Sequence, residues 1–116
     1  MRARPDGDRA YLLHMRDAVL RAQEYSAAGK EAFLASSLLQ DAVIRNLEIR
    51  GEATKQLGTD TTDAEPAVPW DDIAGMRDVL IHHDFGVDLV LVWDVVEHRL
   101  PTLLAAIERL LTRSQG

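Results

Sequence analysis

Apolar residues recur at helical spacing almost from one end of this chain to the other, and that period excludes most folds before any chemistry is considered. Tyr11, Met15, Val19 and Ala22 follow at steps of four, four and three. They draw one stripe along a helix predicted over about residues 8–28, capped by Asp8 and stopped at Gly29. A second helix is predicted over about 30–57, where Leu39, Val43 and Leu47 form a stripe that Leu38, Ala42, Ile49 and Ala53 widen. So broad an apolar face suits a central helix with more than one neighbour. Residues 58–69 are polar, acidic and broken by Pro66 and Pro69, which reads as a surface loop. A third helix starts near Trp70 behind Pro69, with Asp71 and Asp72 in its first turn and Ile73, Met76 and Leu80 on its buried face, and ends near His83. Residues 87–96 are rich in β-branched side chains, but the spacing of Leu89, Trp93, Val96 and Leu100, and the lack of any partner strand, favour a fourth helix. Pro101 then opens or kinks a last segment with Leu103, Ile107, Leu110 and Leu111 inward. The fold class is therefore all-α, an up-and-down bundle of four to five helices. One domain covers residues 1–116, with 1–7 as a flexible N-terminus.

Composition narrows the function classes. At 116 residues the chain is of single-domain size, and an oligomer interface would add usefully to its stability. It has no cysteine, which rules out a disulfide scaffold, a thiolate zinc site and a cysteine nucleophile, and fits a reducing cytoplasm. Arg2 and Arg4 are followed by no apolar stretch, so no secretory signal is expected, and no run approaches the roughly 18 apolar residues that cross a bilayer. A formal net charge of -6 repels the phosphate backbone on average. Any nucleic acid must be held by a local basic patch, for which Arg16, Arg21, Lys30, Arg45, Arg50, Lys55 and Arg77 are the candidates.

The densest group of reactive side chains lies between Gly75 and Gly86, where Arg77, Asp78, His82, His83 and Asp84 crowd the last turns of an otherwise apolar helix. Asp78 and His82 are four apart and share a helix face, so the carboxylate can fix the imidazole tautomer and favour its charged form. The helix C-terminus acts in the same direction. Arg77 is five before His82, about 140° around the axis, and shares a pocket with it only by reaching round, by unwinding of the last turn, or through a second protomer. Against this stands a bland reading, since an arginine and a histidine at a helix end are more often surface capping groups than catalysts. A metal site from His82, His83, Asp84 and Asp88 is disfavoured because adjacent histidines point to different faces. His14 and His98 stand alone on charged faces and read as inert, and Trp70 and Trp93 read as core or interface aromatics. No Gly-rich phosphate loop, helix-turn-helix signature or nucleophile elbow is present.

The stretch Asp41-Ala42-Val43-Ile44-Arg45-Asn46-Leu47-Glu48-Ile49-Arg50-Gly51-Glu52-Ala53, then Trp70-Asp71-Asp72-Ile73-Ala74-Gly75-Met76-Arg77, and then the spacing from Arg77 to His82, resemble the HepT toxins of the HEPN superfamily. The resemblance covers about residues 8–112. It implies an all-α bundle that forms homodimers, with the arginine and histidine of both protomers lining a shared cleft. The implied activity is metal-independent endoribonuclease cleavage without a cofactor, by the toxin of a type II or type VII-like pair whose antitoxin is nucleotidyltransferase-like, of the MNT kind. Arg77 and His82 take the catalytic positions, with Asp78, His83, Asp84 and Asn46 in support. Asp84 stands where relatives commonly carry a tyrosine that the antitoxin modifies with AMP, so blocking of the cleft is expected to replace that modification. Arg50 stands where an apolar residue is usual. Val92 and Val95, beside the Leu89 and Trp93 stripe, are expected to leave apolar surface for a second copy. A HEPN-type nucleotide- or RNA-binding module without catalysis is the alternative. A purely structural helical domain is a third reading, whose sign would be an exposed, unpaired Arg77 and His82.

Overall fold

A computed structural model describes residues 5–82 and 88–115, and every described element is helical. Helix α1 spans Pro5–Tyr25, α2 Lys30–Ala35, α3 Ser37–Lys55, α4 Thr59–Asp63, α5 Trp70–His82 and α6 Leu89–Asp94. A π-helical turn, Val95–Arg99, joins α6 to α7, Leu100–Gln115. The helices α1, α3, α5 and α7 form the body. α3 packs most extensively on α1 and α5, which makes it the central helix that its broad apolar face implied, and α7 packs on α1. Among the described residues α5 hardly touches α6 or α7, so the bundle is left open along one side.

Local chemistry explains where the elements differ from the sequence reading. The expected helix over 30–57 is two, because Ser36 takes an extended conformation, ends α2 and caps α3 by accepting from Leu39 N–H at 3.2 Å. The 58–69 stretch carries the short helix α4, and Asp8 is what holds it. Asp8 lies inside α1, fully buried, and accepts from Gly58 N–H at 2.9 Å and Thr61 Oγ1 at 2.6 Å. It caps the distant helix rather than its own. Gly29 has φ 102°, which a side chain rarely adopts, and its N–H closes the turn onto the Ser26 carbonyl at 3.0 Å. Pro101 does not break the last arm. It has no N–H to return to residue 97, and the turn before it widens so that Leu100 N–H reaches back five residues to the Val95 carbonyl.

The stripes of α1 and α7 are buried as their spacing predicts, with Met15, Val19, Ala22, Leu103, Ile107, Leu110 and Leu111 all in the core. Phe33 packs on Trp93 with ring centroids 5.5 Å apart. Two expectations fail. Leu38 is 77% exposed, since five positions before Val43 place it about 140° around the helix from the buried stripe, while Asn46 and Arg50 turn inward beside Val43 and Leu47. Val92 and Val95 are buried within the chain itself, so they offer no surface to a second copy, and Val90 and Leu91 are the exposed pair instead. No helix among the described residues is long and apolar enough to cross a membrane.

Candidate active site

Arg77 sits at a close approach of α5 to α3. Gly51 makes that approach possible, since a methyl group there would collide with Arg77 Cβ and stand 3.1 Å from the Ile73 carbonyl oxygen. From this seam the guanidinium leans back along α3. Nη1 donates to Asp78 Oδ1 at 3.0 Å, and Nε lies 3.3 Å from Glu52 Oε2, close enough for ion pairing but not aligned for a hydrogen bond. Lys55 Nζ donates to the same Asp78 oxygen at 2.7 Å. Two cations and two carboxylates thus alternate across the seam. The Lys55 ammonium, followed by the Arg77 guanidinium, holds the Asp78 carboxyl below its ordinary value.

This arrangement has a chemical consequence. Arg77 is about a quarter exposed, pre-aligned by its neighbours and electrically balanced by them. A phosphate that reaches it exchanges one anionic partner for another, instead of ordering a free side chain. The guanidinium lines a groove of about 280 Å³ with Tyr11, His14, Arg45, Glu52 and Gln56. Tyr11 and His14 meet edge to face there, ring centroids 6.5 Å apart. His14, read from sequence as inert, therefore stands in the same groove as Arg77.

The other sequence candidates are placed as follows. Asp78 is on the seam, with Lys55 and Arg77 as its partners. Asn46 is buried on α3 and donates to the Ala42 carbonyl at 2.8 Å, a role internal to its helix. His82 is the last residue of α5, five positions beyond Arg77, and its side chain lies outside the described residues, as do His83 and Asp84 entirely. Asp88 caps α6, accepting from Val90 and Leu91 N–H, both at 3.1 Å. Among the described residues no three His, Asp or Glu side chains gather where a metal ion could be held. Sequence reasoning named Lys55 only as a candidate for a basic patch and missed both its pairing with Asp78 and the part played by Glu52. Both residues lie within four positions of Gly51, but only the contact with α5 shows which side chains they meet. Arg77 is paired and half-buried, so the sign of a purely structural domain is not met at this residue.

Comparison with known proteins adds a second kind of observation. Residues 15–110 match a family model described as ribonuclease HepT-like. A protein of Methanocaldococcus jannaschii, provisionally named an RNase, is 41% identical over 86 residues, covering 74% of this chain and 71% of that one. A protein of Thermococcus cleftensis named "Probable ribonuclease HepT" is 45% identical over 80 residues, covering 69% and 73%. Another, from Caldanaerobacter subterraneus and again provisionally named an RNase, is 33% identical over 108 residues and covers 92% and 96%. No solved structure matches the chain.

Proposed function

We propose that this chain cleaves RNA, on the premise that it belongs to the HepT-like ribonuclease family, whose model it matches over residues 15–110. The site observation behind the reading is Arg77, held partly exposed on a groove by Glu52 and Asp78 and five residues before a histidine at the end of the same helix. Cleavage by the RNA's own 2′-hydroxyl needs a base for that proton, a cation for the charge growing on the phosphoryl oxygens, and an acid for the departing 5′-oxygen. The 2′-oxygen attacks phosphorus, the bond to the 5′-oxygen breaks, and the products are a cyclic phosphate and a 5′-hydroxyl. Arg77 takes the phosphoryl oxygens, exchanging Asp78 or Glu52 for them. His82 takes the proton at one step and returns one at the other.

One imidazole does not stand on both sides of a phosphorus in line, so the base and the acid come from two copies of His82 in a homodimer with a shared cleft. No metal enters this scheme. The chain acts as the toxin of a type II or type VII-like toxin-antitoxin pair, with a nucleotidyltransferase-like protein as its antitoxin. Because Asp84 has no phenolic hydroxyl to accept AMP, neutralisation proceeds by covering the cleft. The deciding experiment incubates purified chain with RNA in EDTA and compares it with Arg77→Ala and His82→Ala. Wild-type cleavage that exceeds both variants supports the reading. Equal activity in all three leaves the alternative, a module that binds RNA or nucleotide without cutting it.

A further inference from the structure

A second cationic centre lies on the open side of the bundle, and the chemistry at Arg77 makes no use of it. Arg50 forms part of the lining of a cavity of about 570 Å³ between α5 and the α6 to α7 arm. Its side chain is 2% exposed. Nη2 is 3.6 Å from Met76 Sδ, a weak acceptor, and the buried Nε has no partner among the described residues. Burial pushes the guanidinium down to about 10, which leaves it charged at neutral pH. A buried charge without a counterion opposes folding, and a methionine or leucine of similar reach would pack there without that cost. An arginine at this depth is therefore explained by an anion that the described residues do not supply.

The rest of the lining says which anion. Ile73, Met76, Leu91, Val95 and Leu103 make the walls apolar. Glu65 and Arg109, at the rim, already satisfy each other at 2.7 and 3.1 Å, while Asp72 and Asp94 face the same space. Arg99 lines the same space, so two carboxylates and two guanidiniums balance there. A dianionic phosphate would add twice the uncompensated charge of a monoanion beside apolar walls, whereas a single negative head on an apolar body meets both the Arg50 charge and the walls. We propose that this cavity binds an apolar monocarboxylate, its head on the Arg50 guanidinium and its body between α5 and the α6 to α7 arm. The site is separate from the Arg77 groove and does not depend on the ribonuclease reading.

The test titrates the full-length chain with decanoate by calorimetry and follows its melting temperature, with decanol and inorganic phosphate as controls. Decanoate is expected to bind once per chain and raise the melting temperature. Decanol and phosphate should bind at least about tenfold more weakly, the scale of one lost hydrogen bond to a charged group. Arg50→Met should lose decanoate affinity by a similar factor while its unliganded melting temperature holds or rises. Leu91→Asp, at an exposed position of the lining, should weaken binding without touching Arg50, and it decides the matter if Arg50→Met does not fold. Absence of decanoate binding to the wild type, equal binding of decanol, undiminished binding to either variant, or a lower unliganded melting temperature for Arg50→Met would each overturn the proposal.

Discussion

Arg50 and Arg77 stand on the same seam between α3 and α5, Arg50 against Met76 and Arg77 against Gly51, yet they live in opposite surroundings. Arg77 is partly exposed between two carboxylates, with a lysine sharing one of them. Arg50 is buried and, among the described residues, has only a thioether as partner. Successive helix positions are turned about 100° from one another, so a shift of one residue carries a side chain from the groove beside α1 to the cavity beside α7. An arginine surrounded by exchangeable anions is prepared to trade one for a substrate phosphate. An arginine buried without an anion is prepared to acquire one.

The largest effect expected on this contrast is in catalysis. Arg77→Ala or His82→Ala should lower RNA cleavage by at least about a hundredfold, the scale of losing one preorganised charge stabiliser or one general acid-base. Arg50→Met should leave cleavage nearly unchanged. A comparable loss in Arg50→Met would merge the two sites into one and end the distinction. The next effect is on the seam that separates them. Gly51→Ala gains helix propensity, but its methyl meets Arg77 Cβ and the Ile73 carbonyl, neither of which is the free end of a flexible side chain. The helices must part, at a net cost of about 1–3 kcal/mol. Chemical denaturation that shows Gly51→Ala as stable as the wild type would mean α3 and α5 are less tightly joined than described.

How much of this was legible beforehand divides along the same line. The stripes of α1 and α7 were readable because long uninterrupted helices keep one phase, and the crowding of charged side chains around Arg77 was readable from its neighbours in sequence. Arg50 follows Val43 and Leu47 on the same face, yet its full burial was not readable, because an arginine at such a position ordinarily carries its charged end out to solvent. The partners of Asp78 were hidden for a different reason. Lys55 is 23 positions away in sequence and meets it only because Gly51 lets the two helices close. Local spacing points to a histidine four residues on, and tertiary contact adds a lysine that no periodicity reveals. Asp8 teaches the same lesson: its type is right for a cap, but the helix it caps lies 50 residues further along.

A smaller effect tests whether the carboxylates around Arg77 are exchangeable. Glu52 is half-exposed, so its pairing with Arg77 is worth little in water, about 0.2–1 kcal/mol. Glu52→Gln should therefore tighten binding of a non-cleavable RNA analogue by roughly two- to fivefold at low salt. The gain should shrink as ionic strength rises and the Debye length shortens. Weaker binding in Glu52→Gln would show that Glu52 orients Arg77 more than it competes for it. No such gain is expected from the same change at Glu65, which is occupied by Arg109 on the other side of the molecule.

The smallest effect is one of pH, and it separates two roles for Asp78. Its folded carboxyl is held below the ordinary value, first by Lys55 and then by Arg77. Whatever stability this adds is present above the unfolded carboxylate value, near 4, and is lost only as pH falls through the lower folded one. Between about pH 5 and 8 the carboxylate stays ionised in both states and the imidazole is the side chain that titrates. Asp78→Asn should therefore scale the pH-rate profile of RNA cleavage without moving its limbs, since the seam holds Arg77 rather than tuning a proton. Movement of the profile to lower pH in Asp78→Asn would instead show that the carboxylate raises the basicity of His82, four residues along the same face. In that case Asp78 serves both ends of the motif, and the distinction between holding the cation and tuning the base disappears.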